Sequence, residues 1–149
     1  MSAYFRRVRF AILFIVVLAI GRLVLGAAGV PYARGTNVFS IVTFSLFASL
    51  FFGGFSRAVW GFRLGQAVML GVAIGLSGQI LIFLGTLLSY LVGVETYFNN
   101  PVALTGGEAT VTLGQALLAR IIGIAVNPIL CSIAALLGWS LGKLIPEKA

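Results

Sequence analysis

Arginine is out of place in an apolar run, and this chain puts Arg22 in one such run and Arg120 in another. Arg120, Gly123, Asn127 and Cys131 follow at i, i+3, i+7 and i+11, which is one face of a helix. Gln79 stands near the middle of a third apolar run. An arginine at the bilayer centre costs about 2.5–3.5 kcal/mol on the insertion scale, and less toward the interface, so such residues face protein, water or a partner. Planar guanidinium forks suit anions. Arg22, Gln79, Arg120 and Asn127 are therefore a candidate binding set for a phosphate, a carboxylate or a lipid headgroup. The competing reading has both arginines snorkel to headgroups or pair with Glu95 and Glu108.

The residues that are missing exclude more than the present ones suggest. The sequence has no histidine, and its three acidic residues are all glutamates outside the apolar runs: Glu95, Glu108 and Glu147. Histidine ligation of haem, zinc or non-haem iron has no donor here, and a Ser-His-Asp triad is equally excluded. A proton relay through a mid-membrane carboxylate has no candidate. Small multidrug exporters have a similar size and helix number, but they depend on a glutamate within the first helix, and this chain has none there. Cys131 is the single cysteine, so neither an intrachain disulfide nor a cysteine metal cluster can form within one chain. No cofactor, metal or catalytic residue is expected.

A second pattern concerns packing rather than chemistry. Gly71, Gly75 and Gly78 fall at i, i+4 and i+7, and Gly85, Ser89 and Gly93 continue the track of small residues. Such positions let another helix approach closely where lipid offers no hydrophobic force between helices. The expectation is packing within the bundle, with a subunit interface or a groove for a flat lipid or quinone as the functional alternative. Thr36, Ser40 and Thr43 are spaced to line a polar path, but hydroxyls in membrane helices usually bond their own backbone carbonyls. The phenylalanines from Phe39 to Phe55 spread around several faces, as lipid contact and packing would have them.

The elements that must carry these residues follow from composition. Of 149 residues, 60% are hydrophobic and 9% charged, against about 25% charged in a soluble domain. The mean hydropathy is +1.14. So little charge cannot coat a water-facing surface, and the outer surface must face lipid. The reading is a single all-α membrane domain over residues 1–149: four transmembrane helices at about 10–30, 37–55, 65–93 and 112–143, each long enough for roughly 30 Å of hydrocarbon. The arginines ahead of the first run resemble a signal peptide, but the apolar stretch continues past Arg22, so it is read as an uncleaved helix. Thr36 is a candidate N-cap for the second helix and Gly53-Gly54 its end. Between the third and fourth, Asn100-Pro101 and Gly106-Gly107 bracket a short interfacial helix. Thr112 and Gln115 fit a capping box, and Pro128 breaks the backbone ladder inside the last helix.

Flanking cations orient the chain. With the N-terminus inside, Arg6, Arg7, Arg9, Arg57, Arg63, Lys143 and Lys148 are cytoplasmic, and Arg34, Glu95 and Glu108 are external; this obeys the positive-inside rule. Both termini are then cytoplasmic, in a bacterial inner membrane. The net charge of +7 is scattered around apolar runs, as topology signals and anionic-lipid contacts are, and implies no nucleic acid. The expected role is a non-catalytic structural or accessory subunit that packs against itself or other membrane subunits, with membrane lipids as further partners. The alternative is a small channel, carrier or lipid- or anion-binding protein using the Arg/Gln/Asn set.

Overall fold

The computed structural model describes residues 2–32, 40–107 and 109–144, and all regular structure among them is helical. Helix α1 (Ser2–Arg7) runs into α2 (Arg9–Ala27) through buried Val8. Helix α3 spans Ile41–Ala58, α4 Leu64–Val92, α5 Pro101–Thr105 and α6 Leu113–Leu141, and a 3-10 turn, Gly142–Leu144, follows. Among the described residues four helices are long and apolar enough to cross a membrane: α2, α3, α4, and α6 with its turn. At 29 residues, α4 and α6 each extend about 43 Å, more than a perpendicular crossing needs.

Local chemistry sets most boundaries. The αL residue Gly93, at φ 70°, ends α4, a conformation that costs glycine little. Asn100 caps α5 by accepting from the N–H groups of Val102 and Ala103 at 3.0 and 3.3 Å. Thr112 and Gln115 close a reciprocal box at the start of α6: Gln115 N donates to Thr112 Oγ1 at 3.4 Å and Thr112 N to Gln115 Oε1 at 3.0 Å. Pro128 lies inside α6 without ending it.

The second membrane helix departs from the sequence reading at both ends. Its described cap is Ser40, whose Oγ accepts from Thr43 N at 3.3 Å; Thr36 and Asn37 lie outside the described residues, as do Arg34, Glu108, Glu147 and Lys148. At its other end, α3 continues through Gly53-Gly54 to Ala58. These glycines do not stop the helix, because their bare backbone is what α6 packs on. A methyl at Gly53 would collide with the Ala135 carbonyl, and one at Gly138 with the Leu50 carbonyl.

The α4–α6 seam is the most extensive in the molecule, with α3 against both and α2 against α4 and α3. A Cβ at Gly71 would come within 2.5 Å of Cys131 O, and one at Gly75 within 2.8 Å of Pro128 Cα. The glycine track divides its contacts, however. Gly78 faces Ser45 and Ile41 on α3, and Gly85 faces the Phe98 ring. The apolar centre joins Ile15, Ile41, Leu70, Ile74 and Phe98. Leu13, Phe47, Leu84, Ile121 and Ile129 point outward, each at least half exposed, as a lipid-facing surface requires.

Candidate functional site

The connection from α4 to α5 turns inward. Within it Thr96, Tyr97 and Phe98 are buried, and the Phe98 side chain is 1% exposed. Irregular backbone at this depth needs partners for its N–H and C=O groups, and nearby polar residues supply them. Asn99 Oδ1 accepts from Thr96 N at 2.7 Å, and Asn99 Nδ2 donates to Val94 O at 3.0 Å. Thr96 Oγ1 accepts from Phe98 N at 3.0 Å and shares a 2.7 Å hydrogen bond with Ser89. Tyr97 N reaches Arg22 O at 3.5 Å. Gly26 on α2 allows this approach, since a side chain there would meet the backbone of Thr96 and Tyr97.

Arg22 and Arg120 converge on this segment from two different helices. Arg22 Nη2 donates to Tyr97 O at 3.2 Å, and Arg120 Nη2 donates to Phe98 O at 2.9 Å. Two arginines from α2 and α6 thus hold two consecutive carbonyls. Arg120 Nε also donates to Thr86 Oγ1 at 3.0 Å, and that hydroxyl has Ile82 O at 2.8 Å and Phe98 O at 3.3 Å to donate to. The Arg22 guanidinium lies 5.4 Å from the Phe98 ring centroid and 5.6 Å from that of Tyr32, within cation–π range. Tyr90, one turn further along α4 than Thr86, donates to Val111 O at 2.6 Å. The pairing of Arg120 with Glu95 does not occur. Glu95 is exposed, and the directed bonds of Arg120 go instead to uncharged acceptors, Phe98 O in the buried segment and Thr86 Oγ1 on α4.

The other two residues of the candidate set serve the α4–α6 seam. Asn127 Nδ2 donates to Gly75 O at 3.3 Å, and Cys131 Sγ lies 3.9 Å from Asn127 Oδ1. Gln79 is 5% exposed and fills the space over Gly123, where a Cβ would lie 2.7 Å from Gln79 Oε1. The four residues are therefore not one cluster: Arg120, Gln79 and Asn127 lie along the α4–α6 seam, and Arg22 reaches the buried segment from α2.

Four cavities lie elsewhere. One of about 620 Å³ opens beside Arg6, Arg7 and Arg9, and one of about 410 Å³ runs between α2 and α3. Smaller ones, about 210 and 220 Å³, sit beside Glu95 and between α3 and α6. None of these is lined by Arg22, Gln79, Arg120 or Asn127. Among the described residues no three His, Cys, Asp or Glu side chains come together as a metal site would need. No family's sequence profile, curated protein or solved structure matches this chain.

Sequence reasoning missed the buried segment and its partners Thr86, Ser89 and Thr96. The signal available was the Tyr97-Phe98 pair, two large aromatics inside a connection otherwise read as polar and external. Thr86 and Ser89 each bond a carbonyl of their own helix, Ile82 O and Gly85 O, as isolated hydroxyls do. Nothing in their spacing announces the second partner.

Proposed function

We propose that this chain is a small polytopic membrane protein acting as a non-catalytic structural or accessory subunit, packed against itself or a larger membrane complex. One observation carries the reading. Three of the four candidate polar side chains are engaged with the chain's own backbone: Arg22 with Tyr97 O, Arg120 with Phe98 O and Asn127 with Gly75 O. A carrier or channel needs such groups turned toward a path, and an enzyme needs a base or nucleophile in a cleft. Here they stiffen the fold.

The outward face of α6 supports the assembly part of the proposal. Leu118, Ile122, Ile129, Ile133 and Leu137 are all exposed, a smooth apolar strip suited to lipid or another helix. The orientation we propose puts both termini in the cytoplasm of a bacterial cell and the 94–111 connection outside, following the cation distribution. In that frame the buried Tyr97–Phe98 segment closes the outer end of the helices.

The test is a mass and flux measurement on protein extracted with its native lipid into polymer-bounded discs. The reading expects particles with a fixed number of 15.7 kDa chains, or a fixed ratio to one other membrane subunit, and no ion or solute flux after reconstitution. A monomer, or a flux abolished by Arg120→Gln, would replace it with the channel or carrier reading.

A further inference from the structure

The arginines at the opposite end of the helices are arranged differently, and a ligand site follows from their surroundings. Arg6, Arg7 and Arg9 line an open cavity of about 620 Å³ together with Tyr4, Phe10 and Phe62. All three arginines are exposed. Arg7 lies 4.9 Å above the Trp60 ring centroid and Arg9 lies 5.0 Å above that of Phe10, so aromatic faces orient the guanidinium planes. The described carboxylate, Glu95, follows α4, whereas Gln66 of this cavity lies in its first turn. The length of that helix, about 43 Å, separates them.

Phe10 also lines the second cavity, the groove of about 410 Å³ between α2 and α3. Ala11 and Ala48 lie at its base, and Phe14, Phe44, Phe47 and Phe51 form its walls. Ala11 and Ala48 are buried, while Phe47 and Phe51 are 67% and 62% exposed. From Phe44 to Phe51 the groove follows α3 for about 10 Å. A cationic cup and an apolar trough thus meet at one side chain, at the point where the first helix enters the apolar region.

We propose that this continuous surface binds one phospholipid with an anionic headgroup, its phosphate against Arg6, Arg7 and Arg9 and an acyl chain in the phenylalanine groove. A soluble anion would use the cup and leave the trough unfilled. A zwitterionic lipid would fill the trough, but its ammonium group cancels much of the attraction to three guanidinium groups. Basic residues beside a membrane surface favour anionic lipid cumulatively, and the trough adds a place for the chain. The site shares no residue with Arg22 or Arg120 and does not rest on the subunit reading.

Native mass spectrometry of the full chain in detergent, with equal amounts of phosphatidylglycerol and phosphatidylcholine carrying the same acyl chains, tests the site. Wild type should retain phosphatidylglycerol in preference by roughly tenfold or more. Combined Arg6→Gln, Arg7→Gln and Arg9→Gln should bring the preference close to unity with only a small loss of lipid-free thermal stability. Phe47→Ala with Phe51→Ala should weaken retention of both lipids while keeping the preference, and millimolar inorganic phosphate should displace neither. Equal retention of the two lipids by wild type would overturn the proposal, as would a preference that survives loss of the arginines. Displacement by phosphate, with the phenylalanine variant unchanged, would reduce the site to an anion cup and overturn its lipid half.

Discussion

At the end of the helices closed by the 94–100 connection, Arg22 and Arg120 donate into the protein, to the carbonyls of Tyr97 and Phe98. At the end formed by the N-terminus and the connection from α3 to α4, Arg7 and Arg57 lie on aromatic faces, 4.9 Å from the Trp60 centroid and 4.1 Å from that of Trp139. Each end pins its connection with a hydrogen bond to a backbone carbonyl, but the donor differs. Trp139 Nε1 donates to Phe62 O at 2.7 Å, which leaves the neighbouring arginines without a structural carbonyl to serve. The difference shows how little residue type decides alone. An arginine facing buried, irregular backbone becomes a clamp, because uncapped carbonyls at that depth are costly. An arginine beside a connection whose carbonyl is already bonded, as Phe62 O is by Trp139, stays available to solvent, headgroups or a ligand.

The contrast can be broken most severely at Phe98. It is 1% exposed and rests on Gly85, so Phe98→Ala removes the side chain that seats the buried connection. A loss of about 3–5 kcal/mol is expected, read from denaturant unfolding in mixed micelles. A loss under about 1 kcal/mol would mean that the segment is held by its hydrogen bonds alone.

The arginines themselves give the next effect in size. Arg120→Gln removes charge-assisted bonds to Phe98 O and Thr86 Oγ1 and should cost about 2–3 kcal/mol. Glu95→Gln on that background should restore nothing, because the two residues are not paired. Arg7→Gln, at the other end, loses a cation–π contact and should cost about 1 kcal/mol or less. Equal losses for Arg120→Gln and Arg7→Gln in the same assay would erase the distinction between the ends.

The helices were legible because length and apolarity are one-dimensional properties. The Thr112–Gln115 box and the Asn100-Pro101 start of α5 were equally local, and both are present. Gly53 and Gly54 misled because a glycine pair ends a helix or admits a neighbour according to what lies across from it, and Ala135 and Gly138 are more than eighty positions away in sequence. The same limit applies to the arginines. Their depth and charge were visible at positions 22 and 120, but their acceptors are main-chain carbonyls, which carry no sequence signature. The basic cup was visible as a cluster near the N-terminus. Its continuation into a groove depends on α2 lying beside α3.

The claim on which the rest depends is that the 94–100 segment is a folded, buried part of the protein held by two arginines. Amide hydrogen exchange in lipid nanodiscs tests it directly. Thr96, Tyr97 and Phe98 donate their N–H groups to Asn99 Oδ1, Arg22 O and Thr96 Oγ1, so in wild type a peptide covering them should exchange far more slowly than an unstructured peptide. In Arg120→Gln that protection should fall selectively, while peptides from the centres of α4 and α6 stay protected. Exchange of the wild-type segment at the rate of a free peptide would contradict the account.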